Sequence, residues 1–227
     1  PAYKIASFEA TDLRLIKYVA STLKPLIIST GMANKDEISE ALEVVKETGN
    51  KQVAILHCVS GYPAPQSDYN LSTLLDIYKE FKCVVGLSDH TLDNTTAITS
   101  IAFGASIVEK HFILDRDAGG PDASFSLEPD ELLLLKKNIN TSWDAIGKVN
   151  YDLKESERPN KKFRRSLYFV KDLKVGDLIS EDCLQSVRPG YGLPTKLFDS
   201  LLGKRVKKEI SYGTPTSYDY IEDDNNS

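Results

Sequence analysis

Up to about residue 148, short and nearly continuous apolar runs alternate with longer stretches whose apolar residues recur every three or four positions. That alternation predicts repeated βα units around a parallel sheet, because a strand covered by helices on both faces has no polar side. Five strands are read: Tyr3–Ser7, Leu26–Thr30, Val53–Cys58, Val84–Ser88 and Ser106–His111, each with polar residues at its end. Asn34 followed by Glu37 forms a capping box for a helix that ends near Gly49 and presents Ile38, Ala41, Leu42 and Val45 on one face. Thr11 and Asn70 are read as the N-caps of two further helices. A last helix opens near Pro129, a residue favoured at the first helical position, and runs through Leu132–Leu135 to about Gly147.

The pattern then changes. Residues 150–162 are polar and charge-dense, with Ser156, Pro159 and Asn160, and read as a linker. From 163 to 222, strand-like runs at Ser166–Val170 and Arg205–Ile210 are broken by Gly176, Gly190, Gly192, Gly203 and Gly213, which predicts a small β-rich domain. The acidic end, 223–227, is expected to be disordered. The fold expected is therefore α/β: residues 1–149 hold about five units of a (β/α)8 barrel, too few to close it, followed by the linker and the small domain.

Composition narrows the function classes. With 27% charged residues, a net charge of -5 and no basic arm, the chain does not read as a nucleic-acid binder. No apolar run approaches the roughly 20 residues that span a bilayer, so no membrane partner is expected. Cys58, Cys83 and Cys183 show no CxxC spacing and leave one cysteine unpaired in any disulfide scheme, which favours a reducing, cytoplasmic setting. The chain opens on Pro1 rather than Met, which leaves a preceding segment open.

In an α/β barrel the C-terminal strand ends build the active site. Ser7, Thr30, Cys58, His90 and His111 fall at such ends at intervals of roughly 20–30 residues, the length of one barrel unit, and converge on one mouth if the strands are neighbours. The three histidines, His57, His90 and His111, all lie at or near strand ends. Taken singly, each is explained by a local hydrogen bond; the paired placement of His90 and His111 on adjacent strands favours a shared divalent metal. His57 precedes Cys58 by one residue, so it faces the other side of its strand and reads as structural. Lys4, in an otherwise apolar strand, is a candidate partner for phosphate or carboxylate, against the plainer reading of a surface lysine. The turn Ser29-Thr30-Gly31-Met32 before a helix offers hydroxyls and backbone N–H groups to a phosphate, although such turns are common. Asp122, in a loop made rigid by Pro121, can bond a sugar hydroxyl or merely its own backbone. Arg188 lies in RPGYG, where a solvated hairpin residue is the plainer reading.

Read in order, the segments YKIAS, ISTGM, LHCVSGYPAP, GLSDHT, EKHF, GGPDASFSLEP, RRSLY and RPGYG resemble the sialic acid synthase family over nearly the whole chain. Ser60 and the GGPDASFSLEP stretch match its pseudaminic branch better than its sialic branch, which tends to have Asn at the serine position. The resemblance implies a barrel enzyme followed by an antifreeze-like (SAF) domain, condensing phosphoenolpyruvate with an N-acylated amino sugar, here 2,4-diacetamido-2,4,6-trideoxy-L-altrose. It further implies a divalent metal on His90 and His111, manganese before magnesium or cobalt, which holds and polarises the sugar aldehyde. By the same comparison, Glu9 lies at the catalytic site with these histidines, and Lys4, Ser7, Ser29 and Gly31 take phosphoenolpyruvate. Ser60, Tyr62, Ser88 and Asp122 take the sugar, and Arg188 enters the site of a partner subunit in a domain-swapped homodimer. Family members begin with about three more βα units carrying a catalytic Glu and a substrate-binding Lys, so the chain by itself is expected to be inactive. N-acetylneuraminate or legionaminate synthesis is the alternative within the family, and a non-catalytic scaffold or binding protein is the alternative of another class.

Overall fold

The apolar runs pair in strict chain order. In the computed structural model, which describes residues 1–222, β1 (Tyr3–Ile5), β2 (Leu26–Ser29), β3 (Val53–Cys58), β4 (Val84–Asp89) and β5 (Ile107–Lys110) form one parallel sheet ordered β1-β2-β3-β4-β5. The expected disordered end, 223–227, lies outside the described residues. Between the strands run α1 (Leu13–Ala20), α2 (Lys35–Glu47), α3 (Thr73–Phe81) and α4 (Thr95–Ala102), and α5 (Pro129–Ile146) follows β5. A doubly wound sheet reverses its strand order at a switch point; this one never does, so it is the arc of five consecutive (β/α)8 barrel units.

Register then decides what each side chain faces. Ile5, Ile28, Ile55 and Val85 stand side by side and pack outward on Ile16, Val45, Leu74, Ile77 and Ile101 of the helices. Each fully buried aliphatic side chain there contributes about 1.5–3 kcal/mol. Since side chains alternate along a strand, Lys4, Ser29, Leu56, Cys58, Gly86, Ser88 and Glu109 share the opposite, inner face. A Cβ at Gly86 would lie 2.5 Å from Leu56 Cδ2 and from the Ile107 carbonyl, so only glycine fits the inner face at that level.

Local chemistry sets the helix ends. Asn34 Oδ1 accepts from the Glu37 N–H at 3.0 Å while Glu37 Oε2 accepts from the Asn34 N–H at 2.8 Å, the reciprocal box read in the sequence. Two expected caps differ. Asp12, not Thr11, caps α1, its Oδ1 accepting from the Leu15 N–H at 3.0 Å, because the turn Ser7–Glu9 places the helix one residue later. Asn70 caps nothing: its φ is 41°, its amide bonds the Asp68 carbonyl, and α3 starts at Thr73 behind Ser72. In α5 only Leu135 of the leucine cluster is fully buried, Leu132, Leu133 and Leu134 remaining exposed on a helix beside the terminal strand. Gly147 ends that helix with a φ of 49°.

The chain divides into two compact units after Lys148. In the second, β6 (Ser166–Phe169) and β7 (Leu184–Val187) pair antiparallel, with α6 (Phe198–Leu201) nearby in sequence. Leu167, Phe169, Ile179, Leu201, Val206, Ile210 and Ile221 form its own core. The strand expected over Arg205–Ile210 does not form as a ladder. Arg205, Val206 and Ile210 bridge three different segments, at Leu178, Ile221 and Leu173, so the region is β-rich through single bridges. Residues 150–163 are exposed, and Glu155–Phe163 forms a 3-10 turn despite Pro159. Among the described residues no helix is long and apolar enough to cross a membrane.

Candidate functional site

The inner-face polar residues gather at the C-terminal ends of the strands. Lys4 Nζ lies 3.3 Å from Glu109 Oε1, and the Ser88 hydroxyl donates to the same oxygen at 2.8 Å, so one carboxylate links β1, β4 and β5 across the mouth. Beside this chain, Ser7 Oγ is 3.5 Å from the buried Cys58 Sγ. Gly31 fits between Ser7 and Ser60: with φ at 40°, a Cβ there would lie 2.2 Å from Ser7 Cβ and 2.5 Å from Ser60 Oγ. Of the buried polar side-chain atoms among the described residues, only Ser29 Oγ, Ser60 Oγ and Asn94 Oδ1 lack a hydrogen-bond partner. Two of these orphans sit at the mouth, where a ligand's oxygens would satisfy them.

The histidines stand together. His90 and His111 have ring centroids 5.2 Å apart, and Tyr62 stacks at 4.3 Å on His90 while Phe125 packs at 5.0 Å on His111. His90 Nδ1 lies 2.8 Å from the Val59 carbonyl, which can only accept, so that nitrogen carries the proton and Nε2 keeps its lone pair. His111 Nδ1 faces Asp122 Oδ2 at 3.4 Å, and the carboxylate selects the same tautomer. Burial lowers the pKa of His111, as does the charge of His90, and these outweigh the carboxylates of Asp122 and Glu109. Burial also draws His90 down, but the neighbouring Cys58 and the bond to the Val59 carbonyl prevail and leave it raised. Burial pushes the Cys58 thiol up, and the neighbouring His90 and the hydrogen bond with Ser7 reverse that, leaving it lowered.

Two imidazoles presenting Nε2 from adjacent strand ends, each fixed at Nδ1 by an oxygen, fit a divalent cation as two of its ligands. No three His, Cys, Asp or Glu side chains group as a metal site among the described residues, so further ligands would be water, substrate or groups beyond these.

The mouth thus brings together Lys4, Ser7, Ser29, Gly31, Ser60, Tyr62, Ser88, His90, His111 and Asp122 of the residues singled out in the sequence. Glu9, on the turn that carries Ser7, accepts from the Ala6 N–H through Oε2 at 2.9 Å, which leaves its other oxygen without a bond to that turn. Arg188 belongs to the second unit, where it follows β7 and precedes Pro189, whose carbonyl accepts from Ser166 Oγ at 2.9 Å. His57 turns outward and bonds the Tyr69 carbonyl. Glu109 was not singled out. The signal was present: it stands two residues before His111 on the same strand, and a period of two puts both on one face.

The chain is similar to known proteins over most of its length. The chain is 40% identical to the pseudaminic acid synthase of Campylobacter jejuni strain 81-176, over 93% of its own length and 62% of that protein. It is also 40% identical to the N,N'-diacetyllegionaminic acid synthase of Campylobacter jejuni strain NCTC 11168, over 91% of its length and 63% of that protein. The crystal structure of the spore coat polysaccharide biosynthesis protein SpsE of Bacillus subtilis superposes with a TM-score of 0.61 at 33% identity, covering 99% of this chain and 68% of that one. The chain therefore spans a little over three fifths of the length of the first two relatives. The SAF domain model matches residues 164–222 and the NeuB family model residues 1–151; the chain belongs to the NeuB family.

Proposed function

We propose that this chain is the larger part of a pseudaminic acid synthase, which condenses phosphoenolpyruvate with 2,4-diacetamido-2,4,6-trideoxy-L-altrose and releases phosphate by C–O cleavage. The observation that carries the reading is the pair of Nε2-presenting histidines beside Lys4, Glu109 and the unpartnered Ser29 and Ser60 hydroxyls, in a chain of this family. Lys4 and the Ser29–Gly31 turn, with Ser7 beside them, offer a positive charge, hydroxyls and backbone N–H groups to an anion such as phosphoenolpyruvate. Asp122, Ser60 and Tyr62 offer bonds to the sugar, and the rings of Tyr62 and Phe125 wall the histidines with apolar surface suited to a deoxygenated sugar.

His90 and His111 would hold a divalent metal, manganese by this reading, and the metal when bound supplies a Lewis acid for the sugar aldehyde. In the reaction, carbon three of phosphoenolpyruvate bonds the aldehyde carbon, water adds at carbon two, and the carbon–oxygen bond to phosphate breaks. Arg188 is proposed to serve the mouth of a partner subunit in a domain-swapped homodimer, and the barrel is completed by further βα units. Legionaminate synthesis is the second reading, favoured by the equal 40% identity to a legionaminic acid synthase.

Phosphate release by the full-length protein, measured with phosphoenolpyruvate, manganese and each candidate sugar with and without chelator, tests both. Chelator-sensitive turnover of the trideoxy altrose is expected. Turnover of the legionaminate precursor or of N-acetylmannosamine in its place would move the protein to another branch, and release that ignores chelator would remove the metal from the reading.

A further inference from the structure

Behind the mouth, on the outer face of the sheet, lies a second polar cluster that no ligand can reach. Lys110 and Asp89 stand opposite each other in the β4–β5 register, with side chains 2% and 0% exposed, and pair at 3.0 Å. Lys110 Nζ also donates to the carbonyls of Thr91 at 2.7 Å and Asp93 at 3.0 Å, so all three of its donors are used. The other Asp89 oxygen accepts from the Thr91 N–H at 2.9 Å. One buried ammonium therefore ties the end of β5 to the end of β4 and to the turn that follows it. On the same side, Tyr69 is fully buried, and its hydroxyl accepts from the His90 N–H at 2.7 Å and lies 3.3 Å from the Ser88 carbonyl.

Each of these residues acts on a histidine or on the position next to one. Asp89 precedes His90, Lys110 precedes His111, and Tyr69 grips the His90 backbone itself. A buried lysine is costly unless fully paired, and an aliphatic residue at 110 would fill the same outer-face position without that cost. What the ion pair adds over an aliphatic contact is directional: it fixes the length and angle of the β4–β5 end, and with it the separation of the two imidazoles.

Resting on the reading of His90 and His111 as metal ligands, we propose that Tyr69 and the Lys110–Asp89 pair are positioning residues that set the His90–His111 separation and hold the His90 ring on the Val59 carbonyl. None of them touches substrate or metal. Their effect is transmitted through the His90 backbone and the two strand ends.

The test uses the metal-free full-length protein and three variants: Tyr69→Phe, Lys110→Met, and Asp89→Asn combined with Lys110→Met. Manganese affinity is followed by electron paramagnetic resonance, the His90 tautomer by nitrogen-15 spectra, and folding by thermal melting. Outer-sphere groups of this kind are worth about 10–100-fold in metal affinity, and that loss is expected in Tyr69→Phe with a mixed His90 tautomer. The double variant leaves no unpaired buried charge, so it is expected to melt near wild type and still to lose manganese affinity, which a purely structural role would not produce. Lys110→Met strands the Asp89 charge and is the variant most exposed to unfolding; the other two carry the test if it does. Wild-type manganese affinity and a single His90 tautomer in both Tyr69→Phe and the double variant overturn the inference. A wild type that takes up no manganese, together with a tautomer change in Tyr69→Phe, overturns the metal reading and supports the positioning one.

Discussion

At the scale of single residues, Gly31 is the most exacting position of the mouth. Its φ of 40° and the 2.2 Å approach of a would-be Cβ to Ser7 Cβ leave no room for any side chain, and Ser7 sits on a short turn that cannot retreat without moving β1. Gly31→Ala is expected to destabilise by about 1–3 kcal/mol, the cost of overpacking a tight site, and, under the proposed function, to weaken phosphoenolpyruvate binding in the full-length protein. Urea unfolding and calorimetric titration read the two effects, and an alanine variant with wild-type stability and binding would show that the turn relaxes. That His90 and His111 follow strand ends was legible in the sequence because a strand end is a local pattern, and Lys4 stood out as a charge inside an apolar run. The partners of Glu109, Lys110 and Tyr69 were not legible, since they come from tertiary pairing: β1 and β4 bring Lys4 and Ser88 to Glu109, Asp89 stands opposite Lys110, and the His90 N–H reaches the Tyr69 hydroxyl. The carboxylate of Glu9 also accepts from the Ala6 N–H three residues away, a local bond that position alone does not reveal.

At the scale of elements, what was read correctly has a short-range cause. β3 runs from Val53 to Cys58 as its apolar run predicts, and α2 starts at its capping box because both partners lie within one turn. Asn34→Ala removes the side-chain half of that box and is expected to cost about 1 kcal/mol, read as a lower unfolding midpoint with an unchanged denaturant slope. Ile55, fully buried between sheet and helices, is the contrasting case: Ile55→Ala is expected to cost about 2–5 kcal/mol because a cavity remains. A cost below that of the cap variant would mean the helices collapse onto the sheet. Where the structure differs from the expected elements, the cause is competition or distance. Thr11 and Asp12 are both capping residues, and only the length of the preceding turn chooses between them. In the second unit, the run from Arg205 to Ile210 has strand composition, but its partners lie in three separate segments, so no ladder propagates.

At the scale of the whole molecule, the sheet is the unfinished part. β1 and β5 are both terminal strands, and each leaves a row of backbone donors and acceptors along one side. Along the outer side of β5 a groove of about 350 Å³, lined by Ile101, Val108, Leu132, Leu135 and Ile139, runs beside α5, and Leu133 and Trp143 of that helix are also exposed. In a complete barrel, parallel edges and the helix seams beside them are covered by further βα units. Produced as these 227 residues alone, the protein is therefore expected to associate through its edges, with a mass in light scattering that rises with concentration, and to release no phosphate from phosphoenolpyruvate. Supplying the remaining barrel units, in the same polypeptide or as a separate one, is expected to remove the concentration dependence and, under the proposed function, to restore turnover. The two readouts separate edge from site. A 227-residue chain that stays monomeric at high concentration would show that the edges are protected within it, whereas an associating chain that still turns over would show that five strands suffice for the chemistry and that the missing units serve only closure.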